Sequence, residues 1–220
     1  EDILNEFEKG LEIGYKRFLL CAEDVGVYGT DIGSSPVVLL DRLTQNYRDN
    51  QFSLIIDQIT PRSLIQYQTD FEKIFSRGKI ESIGCQVQSG SDSVLKRMGR
   101  RYTASQWRKI MLLLSEKFPE IKLETHFMVG FPGETEEDFI ATLHLLDPPL
   151  YIQSCNVYMY SGKKETPASK LKDQIPFEIK KQRYFRMWRR FQLMSILYVI
   201  FHSSKLRKMK SKKNEVQKTR

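Results

Sequence analysis

The sequence predicts an α/β fold of parallel βα units, either a barrel or a doubly wound sheet that lacks its first strand. Three observations predict it. Strand-like and helical segments alternate five times, and the series opens on a helix rather than a strand. Most strand-like segments are continuous apolar runs, which suits strands buried beneath helices. The 220-residue chain is 40% hydrophobic, enough apolar surface for one packed domain and against wholesale disorder.

Residues 2–9 place Ile3, Leu4 and Phe7 on one face, an amphipathic helix ending at Gly10. Tyr15 to Cys21 reads as a strand through Phe18-Leu19-Leu20. Ser34, Ser35 and Pro36 then open a helix over Val37 to Tyr47. The strand Phe52 to Ile56 is broken by Thr60-Pro61, and Ser63 to Phe75 continues as one helix. Ile80 to Val87 is a strand, followed by a helix from Ser91 to Met98 and another from Ala104 to Lys117. Ile121 to Val129 and Ile152 to Tyr160 are strands flanking a helix over Thr135 to Leu146. These units form a body over 1–175, with a basic amphipathic helix over 176–209 and a disordered basic end over 210–220.

The net charge of +8 is unevenly placed. From Pro176 onward there are 14 basic and 2 acidic residues, a net of +12, so residues 1–175 carry −4. Attraction to an anionic partner therefore belongs to the tail. Its apolar run Phe191 to Phe201, interrupted by Gln192 and Ser195, is too short to span a bilayer. Cys21, Cys85 and Cys155 lie far apart, which supports neither a disulfide framework nor a metal loop and makes a reducing, cytoplasmic setting the default. The chain opens acidic and helix-like without an initiator methionine, as expected of part of a longer protein.

In folds of this class ligands gather at the carboxyl ends of the strands, where four loops stand out. Val129-Gly130-Phe131-Pro132-Gly133-Glu134 turns from strand to helix, with Thr135 and Asp138 spaced to form a capping pair. It is either a well-capped tight turn or one whose glycines admit a ligand to the backbone. Gln86-Val87-Gln88-Ser89-Gly90-Ser91-Asp92 is a second strand-to-helix turn, a cap or an anion-binding loop. Downstream, Lys96, Arg97, Arg100 and Arg101 form a basic cluster, either solvated or anion-binding. Glu23 and Asp24 offer carboxylates for a ligand ammonium or ribose hydroxyl, or merely solvate a turn. Tyr158-Met159-Tyr160-Ser161 closes the last strand with aromatics for a pocket wall or the core, and His126 alternates toward one strand face.

The order of these loops resembles the radical S-adenosylmethionine methylthiotransferases over roughly residues 1–185. The resemblance rests on Gln-Ser-Gly-Ser-Asp-x-Val-Leu-Lys-x-Met-x-Arg-x-Tyr-Thr at Gln88 to Thr103 and on Val-Gly-Phe-Pro-Gly-Glu-Thr-Glu-Glu-Asp-Phe at Val129 to Phe139. Glu23-Asp24 with Tyr28-Gly29, Asn156 to Ser161 and Thr166-Pro167-Ala168 extend it. The resemblance implies a partial (β/α)6 TIM-like barrel lacking its first strand and cluster loop. It also implies S-adenosylmethionine and a [4Fe–4S] cluster as cofactors, an electron donor, and an RNA or protein substrate that receives a thiomethyl group. Carried over, Glu23 with Asp24 would take the methionyl ammonium or ribose. Gln88, Ser89 and Arg100 would lie near the methionyl carboxylate and ribose, and Gly130, Phe131, Pro132, Gly133 and Glu134 beside the adenine.

The chain departs from the family at several points. The Cys-x-x-x-Cys-x-x-Cys loop is expected upstream of Glu1, its ligands lying outside this chain, so the chain as given is expected to be inactive. The family's Tyr-Ser-x-Arg-x-Gly-Thr becomes Tyr160-Ser161-Gly162-Lys163-Lys164-Glu165-Thr166, and its aspartate before Val-Gly-Phe-Pro is replaced near His126. The family's RNA-binding β-barrel gives way to the basic helix. Two other functions remain open: a radical oxidoreductase acting on a peptide or small metabolite, and a cluster-less module that docks its basic tail on nucleic acid or another anionic partner.

Overall fold

A computed structural model describes residues 2–200, with the backbone of the final helix assigned as far as Lys218. Where a disordered end was expected over 210–220, residues 210–218 have helical backbone, and 219–220 lie outside the described residues. Helix α1 (Asp2–Ile13) continues past Gly10, the predicted end, because the ring of Phe18 lies against that glycine; a Cβ there would sit 2.5 Å from Phe18 Cε1. The helix stops instead at Gly14, at φ +99°, where Tyr15 N donates to Gly10 O and Gly14 N to Leu11 O.

Strands β1 (Arg17–Leu20), β2 (Ser53–Ile56), β3 (Ile80–Gly84), β4 (Lys122–Val129) and β5 (Ser154–Met159) form one sheet. Every pair is parallel and the spatial order is the chain order. That order has no switch point and is the winding of a barrel wall, which resolves the alternative of a doubly wound sheet. Helices α2 (Pro36–Gln45), α3 (Pro61–Gln66), α4 (Gln68–Phe75), α5 (Asp92–Arg97), α6 (Ala104–Lys117) and α7 (Glu136–His144) fill the connections. The single helix predicted over Ser63 to Phe75 is two, because Tyr67 leaves helical geometry at φ −110°, ψ 26° and packs edge-on against Phe71.

The sheet buries one face, not two. Leu54, Ile56, Ile83, Leu123, Phe127 and Val129 pack against Leu40, Leu43, Phe71, Phe75 and Trp107 of the helices. The opposite face of β4 carries Lys122, Glu124, His126 and Met128, so this strand alternates where a continuous buried run was expected. On β1 the same alternation leaves Leu19 59% exposed at the sheet edge. At the amino ends of the strands, Glu81 ties four strands together. It accepts from Arg17 Nε and Nη2 (2.9 and 2.8 Å), Ser53 Oγ (2.8 Å) and Lys122 Nζ (3.4 Å).

The last helix, α8 (Phe177–Lys218), begins as part of the core rather than as an appendage. Arg183 and Met187 are buried, and Tyr184, Phe191 and Met194 pack against the main cluster. Among the described residues, no helix is long and apolar enough to cross a membrane.

Candidate functional site

The two longest sequence motifs meet in space. Ser91 caps α5 and Thr135 caps α7, the latter in a reciprocal box with Asp138 (3.0 and 3.1 Å). Asp138 also accepts from Ser91 Oγ at 2.5 Å and Ser93 Oγ at 3.1 Å, and Arg97 Nη2 donates to Gly133 O at 2.8 Å. Desolvation alone would raise the Asp138 carboxyl; the hydrogen bonds from Ser91, Thr135 and Ser93 hold it below the usual carboxylate range. Gly90 is required because α7 crosses it: a Cβ there would lie 2.4 Å from Ala141 O. Two capped turns thus form one rigid ledge over the carboxyl ends of β3 and β4.

Gln88 stands at the inner edge of this ledge. Its N donates to His126 O (3.0 Å) and its O accepts from Met128 N (2.8 Å), so it prolongs the pairing of β3 with β4. It does so at φ +70°, the left-handed region that L residues with a Cβ rarely adopt, and its Oε1 is buried without a partner. Gln86 repeats the pattern one pleat below: Nε2 donates to Asp57 O at 3.2 Å, while Oε1 is buried and unpartnered. Gly130, at φ +72°, closes β4, and its N–H donates to Glu134 Oε2 at 2.7 Å. Beyond it Phe131 and Tyr160 meet edge-on at 5.1 Å and form a small apolar cluster with Val94. On the face below, Asn156 Nδ2 lies 3.1 Å from His126 Nε2, and the ring stands against Tyr158. Burial lowers the His126 pKa, outweighing Asp57 and Glu124, so the imidazole is neutral and accepts from Asn156.

Other predicted residues stand elsewhere. Ser89 is fully buried behind the ledge, sharing a hydrogen bond with Thr142 and accepting from Ser91 N. Glu134, 2% exposed, pairs with Arg183 of α8, 5% exposed (Oε2 to Nη1, 2.8 Å). Burial raises its carboxyl, with Gly130 N–H and Arg183 opposing. Pro132 and Gly133 form the turn tip, where Gly133 N donates to Asp173 O. Asp24 caps the 3-10 turn Val25–Val27, its Oδ1 accepting from Gly26 N (2.9 Å) and Thr60 N (3.1 Å). Asp24 and Arg100 line a cavity of about 430 Å³ with Arg62, Arg101 and Tyr102, and Glu23 is exposed nearby in sequence. Sequence reasoning singled out the segments that hold Gln86 and Asn156 without giving either a role, and it missed Arg62 and Arg183. Arg183 lies among Lys180, Lys181 and Arg186, so its residue type carried no distinguishing signal.

The Radical SAM superfamily pattern matches residues 1–146, two thirds of the chain. The chain belongs to the radical SAM superfamily. It is 34% identical over 191 residues to the tRNA-2-methylthio-N(6)-dimethylallyladenosine synthase of Acetivibrio thermocellus, a match covering 85% of this chain and 38% of that protein. It is also 34% identical over 184 residues to a protein of Pyrococcus abyssi named "Probable threonylcarbamoyladenosine tRNA methylthiotransferase", covering 83% of this chain and 42% of that one. The chain thus spans about two fifths of the length of these curated relatives. Among solved structures, the Elp3 of Methanocaldococcus infernus superposes with a TM-score of 0.56 at 14% identity, over 83% of this chain and 47% of that one, a likeness of fold alone.

Family membership brings S-adenosylmethionine and a [4Fe–4S] cluster as cofactors. The described residues fit the first. Two orphaned glutamine oxygens and a left-handed glycine lie at the carboxyl ends of β3 and β4, next to the apolar cluster of Val94, Phe131 and Tyr160. They do not fit the second. Cys85 and Cys155 are buried with thiols pushed up chiefly by burial, that of Cys155 to about 12, and no group of three metal-binding side chains exists among the described residues.

Proposed function

We propose that this chain is the S-adenosylmethionine-binding core of a methylthiotransferase that modifies RNA. The observation that supports it most is Gln88, whose strained backbone and unmet buried oxygen each cost about 1–3 kcal/mol. Such costs are retained where a ligand uses them. In this reading the Gln86 and Gln88 oxygens accept N–H groups of the cofactor, and Gly130 lets its adenine approach the backbone. Phe131, Val94 and Tyr160 exclude water from that end. Ser89 and Glu134 act from behind as positioning residues, while Glu23, Asp24 and Arg100 border the methionyl side. His126 Nε2 accepts from Asn156, which leaves the ring proton on Nδ1 as a donor at the substrate side. The bound cofactor supplies, on reductive cleavage, a radical able to take hydrogen from an unactivated C–H bond.

RNA as substrate is supported by relatives named for tRNA modification. With no cluster ligands among the described residues, this chain alone is inactive in our reading. The working protein would be cytoplasmic and draw on an external electron donor. The test is the gene upstream of residue 1, which should encode Cys-x-x-x-Cys-x-x-Cys within about 40 residues, the span of one βα unit. That longer protein, reconstituted with iron and sulfide without oxygen, should release 5′-deoxyadenosine from S-adenosylmethionine, and the present chain none. An upstream sequence without the motif, or a reconstituted protein without the product, refutes the proposal.

A further inference from the structure

The body over 1–175 is acidic, yet three of its arginines converge on one cavity. Arg62 comes from the β2–α3 connection, and Arg100 and Arg101 from the α5–α6 connection. All three are exposed, and none makes a side-chain hydrogen bond or ion pair among the described residues. Most other arginines of the body are engaged, although Arg42 on α2 is also exposed without a side-chain partner among the described residues. Arg17, Arg77 and Arg97 reach carboxylates, and Arg108 donates to three carbonyls. The carboxylate in the cavity, Asp24, is held by the backbone N–H groups of Gly26 and Thr60. The arginines are therefore cations with their donors free, around a space of about 430 Å³ that also presents Thr30, Thr60 and the ring of Tyr67.

We propose that the outer part of this cavity is a phosphate subsite for the RNA substrate, with Arg62 and Arg101 donating to a phosphodiester, Arg100 left to the cofactor side and Tyr67 available to an adjacent base. Guanidinium groups are planar, weakly hydrated and suited to two-point contact with phosphate oxygens. The volume lies in the range of a small-ligand pocket, which admits a phosphate with part of its nucleotide. The cavity sits past the carboxyl ends of β1 and β2 and against the α5–α6 connection, on the same end of the sheet as Gln88 and Gly130, so a phosphate held here would keep an RNA strand across that end. The proposal rests on the RNA reading above and adds where on the body the backbone is gripped, separately from the basic helix.

The test is fluorescence anisotropy of the present chain with a labelled RNA stem-loop between about 50 and 200 mM salt. The double variant Arg62→Ala/Arg101→Ala leaves Arg100 in place and alters only exposed side chains, so its Tm should stay within about 2 °C. It should bind RNA about 10-fold more weakly at mid-range salt and flatten the plot of log K against log salt by about 1–2. Inorganic phosphate at constant ionic strength should displace RNA more readily from the unaltered chain than from the variant. S-adenosylmethionine binding should be equal in both. An unchanged affinity and slope in the variant overturns the subsite and leaves the RNA reading standing. Failure of the unaltered chain to bind RNA at low salt overturns both.

Discussion

The sharpest energetic prediction concerns the buried pair that fastens the Gly130–Glu134 turn to α8. Arg183→Met removes the guanidinium and leaves the Glu134 carboxyl buried with one hydrogen bond, from Gly130 N. Breaking a buried ion pair from one side costs about 3–5 kcal/mol. This pair lies toward the lower end, because Glu134 Oε1 and Arg183 Nε lack partners already. A loss of about 3 kcal/mol corresponds to roughly 6–12 °C in Tm for a chain of this size. The pH dependence has a definite sign. Glu134 titrates above its usual range through burial, and removal of Arg183 raises it further. A raised carboxyl supports the fold below its unfolded pKa and ceases to do so as pH rises through the folded value. Urea unfolding should therefore show the smallest deficit near about pH 4 and a growing one toward neutrality. Adding Glu134→Gln removes the stranded charge and should recover most of the loss. A single variant within about 1 kcal/mol of the parent, or a double variant as unstable as the single, would refute this reasoning.

Three further outcomes follow from the geometry. Gln88→Gly relieves the left-handed strain at the cost of unfolded-chain entropy, so urea unfolding should show stability unchanged or raised by up to about 1 kcal/mol, while S-adenosylmethionine affinity falls. Glu81, held at about 2 chiefly by the hydrogen bond from Arg17, stabilises the sheet above its unfolded pKa. That support should disappear as pH falls from about 4.5 toward 2, and Glu81→Gln should flatten the acid limb of an unfolding profile. Among the cysteines only Cys21 is exposed, and its thiol is raised chiefly by its hydrogen bond to Asp57. A thiol-reactive dye should label one site in the native protein, and Asp57→Asn should speed that reaction near neutral pH.

Local chemistry made much of this fold legible. The α6 limits Ala104 and Lys117 were readable from period and caps, as were Ser91 and the Thr135–Asp138 box. Gly10 misled because its role is tertiary, making room for Phe18, and Tyr67 broke a helix without any glycine or proline to mark it. The site was legible as motifs but not as partners. Ser91 and Asp138 lie 47 residues apart, and Glu134 and Arg183 49, so nothing local announces either contact. Gln88 carries no residue-type signal for a left-handed backbone, since β3–β4 pairing imposes it. Ser89 reads as a ligand contact in the motif, yet it is buried against Thr142.

The central claim is that S-adenosylmethionine binds at the carboxyl ends of β3 and β4. The direct measurement is a backbone amide NMR titration of this chain with the cofactor. The account predicts saturable shifts at Gln86, Gln88 and Gly130, which are lost in Gln88→Ala while the rest of the spectrum is retained. Shifts confined to α8, or none at saturating cofactor, would contradict it.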